Sequence, residues 1–279
     1  MGKFMPPHSG HRYLVDFAQA YCDELWIFVC TLPTEPIPGE LRFRWMQDLF
    51  PQARIVHIAK GDPLASRNEP GATQIWAQTV RQHLPDPVQF VFASESYGWE
   101  FAQALGAHFV PVDPSRDQFP ISGTELRDRP FRNWHFIPHV VKPYFVKEIV
   151  IDARPFGEEI IRRTAMLLAT MYVPSYRVFY QEFAHQGIPW CDLEPAQTAQ
   201  RAALKKQSRF FLLRSFDPEI TNGQADCYIC CQPPNLDSAA IFVREAAKHG
   251  GQVRFLAGSA DTAAHLLQDA ILDEFRQLL

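Results

Sequence analysis

The sequence predicts an α/β protein in which helices cover parallel sheets. In the first half of the chain, short runs rich in Val, Ile and Phe alternate with amphipathic segments, and a second alternation starts near residue 147. Runs that are apolar throughout are typical of strands covered on both faces. Strands that alternate with helices at this spacing form doubly wound parallel sheets. We therefore expect two α/β domains, residues 1–147 and 148–279.

The predicted elements follow from these two patterns. In the first domain the predicted strands cover 25–30, 54–59, 88–93 and 108–112, and the predicted helices cover 11–21, 40–50, 73–84 and 99–105. In the second domain the predicted strands cover 146–151, 209–214, 226–231 and 252–256, and the predicted helices cover 158–172, 195–207, 236–249 and 262–279. The aromatic and proline-rich segment 128–146 is expected to form short helices over the sheet.

Composition limits the class of protein. The 279 residues are 47% hydrophobic and 21% charged, which is typical of globular domains. A net charge of -4 argues against a nucleic acid or a membrane surface as partner. No apolar run reaches the roughly 18 residues of a membrane span, and the N-terminus lacks a signal-peptide pattern. We expect a cytoplasmic protein and leave a homo-oligomer open.

Three of the six cysteines lie in the segment DCYICC, residues 226–231. Cys227 and Cys230 have C-x-x-C spacing, but in a strand two side chains three residues apart point to opposite faces. No other Cys or His pair has zinc-finger spacing. We therefore expect buried free thiols here and not a metal site.

The opening segment GKFMPPHSGH, residues 2–11, precedes a predicted helix. Gly2 and Gly10 allow the backbone to approach a ligand closely. Lys3 supplies a positive charge, and His8 and His11 supply donors that can be partly cationic near neutral pH. Together with a helix N-terminus, these residues favour a polyphosphate site over a metal site. The alternative is that both histidines are surface residues at a helix start.

A second segment, ISGTELR at 121–127, also follows a strand and begins a helix. Ser122 or Thr124 could cap that helix, and Arg127 lies in its first turn. Alone, this pattern is equally typical of an ordinary capped helix. Because it lies in the same predicted domain as the opening segment, it indicates a second helix N-terminus that binds an anion.

These segments carry a family resemblance. GKFMPPHSGHRYL, FASESYG (92–98), residues 112–134 and IPHVVKPYFVK (137–147) resemble the H-x-G-H nucleotidyltransferases. More closely, the chain resembles the bacterial bifunctional nicotinamide mononucleotide adenylyltransferase/ribosylnicotinamide kinase family across residues 1–147. The resemblance implies a Rossmann-like domain that transfers the adenylyl group of ATP to nicotinamide mononucleotide, giving NAD and pyrophosphate.

The resemblance also implies roles for individual residues. Catalytic roles at the ATP phosphates fall on His8, His11 and Arg127. Further ATP contacts fall on Lys3, Ser94, Glu95, Ser122 and Thr124. The mononucleotide would contact Phe4 and Trp76, although Trp76 could equally be a core aromatic residue on its helix. Mg²⁺ would enter with ATP, held by phosphate oxygens and water.

The chain departs from the family pattern in two places. The family has a central strand before the Gly-Lys-Phe turn, whereas only Met1 precedes Gly2 here, so we expect further apolar residues upstream in the native protein. The second domain lacks the Walker loop G-x-x-x-x-G-K-[ST], with Glu158 and Glu159 in place of Lys and Ser/Thr. Arg214 stands where an acidic metal ligand is expected. We therefore predict a P-loop kinase-like domain without kinase activity.

Three other functions are alternatives to adenylyl transfer to nicotinamide mononucleotide. A nucleotidyltransferase of the same class could act on nicotinate mononucleotide, phosphopantetheine or FMN. A non-catalytic nucleotide-sensing protein would explain the altered second domain, but not the presence of every phosphate-binding residue of the first. A class I aminoacyl-tRNA synthetase fragment would need a basic RNA-binding surface and a K-M-S-K-S-type loop.

Overall fold

The computed structural model describes residues 1–59, 71–175, 193–218, 223–232 and 237–279. The chain forms two compact units, Met1–Val141 and Lys142–Leu279. The division falls slightly before the boundary predicted at 147, because the short helix after Val141 packs within the second unit. In the part of the chain that is described, no helix is long and apolar enough to cross a membrane.

Unit 1 contains the strands β1 (Trp26–Cys30), β2 (Arg54–Ile58), β3 (Phe90–Ala93) and β4 (His108–Pro111). Its helices are α1 (Ser9–Tyr21), α2 (Gly39–Leu49), α3 (Ala72–His83), α4 (Tyr97–Leu105) and α5 (Gly123–Asp128), with a 3₁₀ turn at Trp134–Phe136. Each predicted strand and helix of this domain is present, with ends that differ by one or two residues.

The strands of unit 1 pair in parallel as two separate pairs, β1 with β2 and β3 with β4. Among the described residues, the second edge of β1 is paired only by Gly2, whose N–H donates to the Phe28 carbonyl and whose carbonyl accepts from Cys30, both at 2.9 Å. The two pairs nevertheless share one hydrophobic core, because Phe28 and Val91 belong to the same buried cluster. The predicted doubly wound sheet is therefore interrupted between β1 and β3.

Unit 2 contains one five-stranded parallel sheet, which confirms the predicted second α/β domain. Its strands are β5 (Lys147–Asp152), β6 (Met171–Val173), β7 (Phe211–Ser215), β8 (Cys227–Cys230) and β9 (Val253–Phe255), in the order β6-β7-β5-β8-β9. Its helices are α6 (Lys142–Phe145), α7 (Glu159–Leu167), α8 (Leu193–Gln207), α9 (Asp237–Lys248) and α10 (Ala260–Glu274), followed by a 3₁₀ turn at Arg276–Leu278.

Two predicted helices of unit 2 are too long. The helix predicted over 262–279 ends at Glu274 and is followed by the 3₁₀ turn. The sequence predicts a helix over 158–172, whereas α7 ends at Leu167 and Met171–Val173 form β6 beside β7. The chain turns at Ala169, which has a left-handed φ of 48°. The run Met-Tyr-Val fits a strand as well as a helix, and its apolar pattern alone did not separate the two.

Candidate active site

The two imidazoles of the opening segment lie against each other at the start of α1. His8 directly precedes the helix, His11 is in its first turn, and their ring centroids are 3.8 Å apart. The backbone N–H of His8 donates to Nδ1 of His11 at 3.3 Å, so the neutral His11 carries its proton on Nε2. His8 is only 8% exposed, and its Nδ1 has no hydrogen-bond partner among the described residues.

A glycine permits this arrangement. A Cβ atom on Gly10 would lie 3.2 Å from the ring of His8 and 3.6 Å from Cβ of Phe119. A side chain at this position would therefore push against the imidazole of His8. The predicted close approach of Gly10 to a ligand stays a prediction.

The pKa values of both imidazoles are lowered, which favours their neutral forms near pH 7. Burial, and to a smaller extent the nearby Arg116 charge, lowers the pKa of His8 to about 4. Burial also lowers the pKa of His11 well below its usual value, followed by the effects of His8 and Arg116. The sequence predicts that these histidines can be partly cationic near neutral pH. Burial opposes their protonation, whereas a bound anion would favour it. A neutral imidazole still offers one N–H donor to a phosphate oxygen.

The stability of the protein should therefore fall as the pH falls from about 6.5 toward about 4. In this window His8 is protonated in the unfolded chain but stays neutral in the folded chain. The stability that His8 contributes above pH 6.5 is therefore lost as the pH falls. The contribution of His8 is roughly 3 kcal/mol. Urea titrations at pH 7.5 and at pH 5 should show that the free energy of unfolding falls less between these two pH values in His8→Gln than in the wild type. Equal losses would contradict the buried neutral imidazole.

The opening segment and the start of α5 are in direct contact. Nη1 of Arg127 donates to the Met5 carbonyl, and its Nη2 donates to Oγ1 of Thr124 at 3.1 Å. A Cβ atom on Gly123 would lie only 2.6 Å from the same Met5 oxygen. The structure thus brings together two helix starts that are more than a hundred residues apart in sequence.

The two hydroxyls of the second segment have different roles. Oγ of Ser122 accepts the backbone N–H of Glu125 at 3.2 Å and caps α5. Thr124 is exposed, and its hydroxyl accepts from Arg127. Of the two capping residues that the sequence left open, the structure therefore selects Ser122.

The backbone near Lys3 is fixed by a fully buried arginine that the sequence analysis missed. Arg42 is 0% exposed and donates to the carbonyls of Lys3 (2.5 Å), Ile37 (3.0 Å) and Cys30 (3.3 Å). It also forms an ion pair with Glu35, whose other oxygen lies 3.0 Å from Nζ of Lys3. Lys3 is thus paired with an acid, Glu35, that lies beside the opening segment.

Ser94 and Glu95 follow β3 and line a cavity of about 560 Å³ together with Ser96, Phe109, Pro111, Pro114 and Arg116. The cavity lies at the carboxyl ends of β3 and β4, where parallel α/β sheets bind ligands. Arg116 is a second site residue that the sequence analysis missed.

Phe4 and Trp76 are both packed against other side chains. Phe4 is buried, has a left-handed φ of 46° and meets the ring of His11 edge-on with centroids 4.9 Å apart. Trp76 is half-buried on α3 and meets Tyr97 and Phe101 edge-on at 5.8 and 6.4 Å. A contact of either residue with a mononucleotide stays a prediction.

The comparisons with known proteins agree with this architecture. No protein-family model matches the chain. The trifunctional NAD biosynthesis/regulator proteins NadR of Salmonella typhimurium and Escherichia coli are each 28% identical over 167 residues, which is 54% of this chain and 40% of theirs. The chain is therefore similar in sequence to NadR over about half of its own length. It spans about two fifths of the length of the curated relatives that it matches.

Solved structures of NadR share the fold. A crystal structure of NadR in complex with NR has a TM-score of 0.76 and 16% identity, covering 98% of this chain and 94% of that one. A second, of NadR in complex with NAD and AMP-PNP, has a TM-score of 0.74 at the same identity and coverage. The two-unit α/β architecture is therefore that of NadR.

Unit 2 has an ion pair at the carboxyl end of its central strand. Asp152 is fully buried and accepts from Nε (2.7 Å) and Nη2 (2.5 Å) of Arg154 and from Gln232 (2.6 Å). In the next turn, the N–H groups of Phe156 and Gly157 both donate to the carbonyl of Ala153 at 2.9 Å. These two N–H groups are thus used within the loop.

Two of the residues that depart from the family pattern in unit 2, Glu158 and Arg214, have defined partners. Oε1 of Glu158 accepts the backbone N–H of Ser175 at 2.7 Å. Arg214 is buried, and its Nη1 lies 3.2 Å from Oε2 of Glu148, which also pairs with Arg201 and Lys205. Burial lowers the pKa of Arg214 to about 10. Arg214 is therefore part of a structural ion-pair cluster.

Proposed function

We propose that this chain transfers the adenylyl group of ATP to the phosphate of nicotinamide mononucleotide, forming NAD and releasing pyrophosphate. The observation that carries the proposal is the contact between the opening segment and the start of α5, through Met5, Gly123 and Arg127. It joins two helix N-termini, a pair of adjacent imidazoles and a guanidinium in one unit, and the similarity to NadR supports a substrate of this class.

The proposed reaction needs little covalent chemistry from the protein. The phosphate of the mononucleotide is already an anionic nucleophile, so no general base is required. The protein must hold two anions in line and stabilise the charge that develops at the α-phosphate. In our proposal, His8 and His11 donate hydrogen bonds there, and Arg127 and the N-terminus of α5 bind the other phosphates.

Mg²⁺ enters this proposal as part of the substrate. Among the described residues, no group of three or more His, Cys, Asp or Glu side chains is placed to hold a metal ion. Phosphate oxygens and water are ligands that Mg²⁺ prefers, so a magnesium complex of ATP needs no protein cage. Lys3 and Arg127 would then offset the charge that remains on the phosphates.

For unit 2 we propose that ribosylnicotinamide kinase activity is absent. A Walker loop binds phosphate with backbone N–H groups and a lysine, whereas here Glu158 takes the place of that lysine. The Phe156 and Gly157 N–H groups are bound to Ala153, and Arg154 is bound to Asp152. Negative charge at this position would repel a nucleotide phosphate.

The direct test measures pyrophosphate release from Mg-ATP with a panel of acceptors: nicotinamide mononucleotide, nicotinate mononucleotide, phosphopantetheine and FMN. We expect release with nicotinamide mononucleotide and conversion of that acceptor to NAD. Nicotinamide riboside should not be phosphorylated by the same protein. ATP binding without turnover on any acceptor would support the non-catalytic alternative, and phosphorylation of the riboside would overturn the kinase proposal.

A further inference from the structure

Arg116 is presented by a well-formed loop between β4 and α5. Its backbone N–H donates to the Asp113 carbonyl at 3.0 Å, and the Asp113 carboxylate accepts the N–H of Asp117 at 3.0 Å. Asp113 and Arg116 both have left-handed φ values, 46° and 58°. Strained backbone at non-glycine residues is found preferentially at binding and catalytic sites, so the loop is a candidate for such a role.

The side chain of Arg116 borders the cavity that Ser94 and Glu95 line. Its Nη2 lies 3.2 Å from Oε1 of Glu95, and the two side chains are 45% and 36% exposed. A half-exposed ion pair of this kind is weak. A polyphosphate, which carries more charge and offers several oxygens to a guanidinium, can therefore compete with Glu95 for Arg116.

The same loop reaches the imidazole pair. Phe119, three residues after Arg116, lies against the first turn of α1, with its Cβ 3.6 Å from a Cβ placed on Gly10. The ring of Phe119 also packs beside Tyr13, with centroids 5.5 Å apart. In addition, the charge of Arg116 lowers the pKa of both His8 and His11. The loop that carries Arg116 thus borders the cavity and also contacts the first turns of α1, which hold the imidazoles.

We propose that Arg116 leaves Glu95 and binds the phosphate chain of the nucleotide beside His8 and His11. The inference rests on the proposed function only for the identity of the nucleotide. Glu95 holds the guanidinium at the edge of the cavity while the site is empty. A bound phosphate chain then takes the place of the Glu95 carboxylate.

The test is a set of calorimetric titrations with Mg-ATP, inorganic tripolyphosphate and adenosine. Arg116→Gln should weaken binding of ATP and of tripolyphosphate by about tenfold to a hundredfold, the usual effect of losing a charged hydrogen bond. Binding of adenosine should not change, and Arg116→Lys should recover part of the lost affinity. Arg132→Gln, which removes an exposed arginine from the same unit, is the matched control.

Two results would overturn this inference. One is tripolyphosphate binding that is absent in the wild type or unaffected by Arg116→Gln. The other is an equal loss for adenosine, which would indicate a general disturbance of the loop. The outcome is separable from that of the proposed function. Arg116-dependent tripolyphosphate binding without pyrophosphate release would refute adenylyl transfer alone, and pyrophosphate release together with tripolyphosphate binding that Arg116→Gln leaves unchanged would refute the role of Arg116 alone.

Discussion

Replacing Arg42 with methionine should destabilise the protein by about 3–5 kcal/mol, the usual cost of removing one partner from a buried ion pair. The substitution leaves the Glu35 carboxylate without its buried partner, and the carbonyls of Lys3 and Ile37 lose their donor. Urea titrations of the full chain measure the loss.

Arg44→Met is the matched control, because Arg44 is exposed two residues away on the same helix. It should change the free energy of unfolding by less than about 0.5 kcal/mol. The pKa of Glu35 should also rise in Arg42→Met, since Arg42 is one of the groups that lower it against the effect of burial. Equal stability of the two variants would show that Arg42 does not anchor the opening segment.

Replacing His11 with alanine should reduce kcat for adenylyl transfer by roughly a hundredfold to a thousandfold, as the loss of a preorganised hydrogen-bond donor does elsewhere. In the proposed mechanism this donor acts on charge that develops only in the transition state, so kcat should fall more than the affinity for ATP. Initial rates of pyrophosphate release at saturating ATP and mononucleotide provide the measurement.

Asp16→Ala is a suitable control for His11→Ala. Asp16 lies on α1 as well, but it is exposed and pairs only with the exposed Arg12 among the described residues. Its replacement should leave kcat within about twofold, since exposed ion pairs contribute little. Turnover by His11→Ala at the wild-type rate would remove His11 from the mechanism.

The alternation of strands and helices could be predicted because its signal is local. Runs such as LWIFVC and RIVHIA are apolar throughout, and they form β1 and β2 within a residue of the predicted ends. The strand Met171–Val173 was missed because three residues are too few for a periodic pattern. The interruption between β1 and β3 depends on which strands pair, and pairing is a tertiary property.

The candidate site was predictable only in part, because some of its features depend on tertiary contacts. His8, His11 and Arg127 stand in recognisable motifs, whereas Arg42 stands in none and Arg116 lies in the segment 112–134 without being part of its motif. Arg42 matters because it is buried among carbonyl groups, and Arg116 matters because its loop reaches the imidazoles. The neutral state of His8 also follows from burial, which the residue type alone does not give.

The central claim is that the opening segment and the start of α5 bind one triphosphate. A crystal structure of the full chain with Mg²⁺ and a non-hydrolysable ATP analogue tests it most directly. We expect the phosphates in unit 1, within hydrogen-bond distance of His8, His11 and Arg127. An analogue bound at the carboxyl end of β5 instead, or phosphates that touch only one of the two segments, would contradict the account.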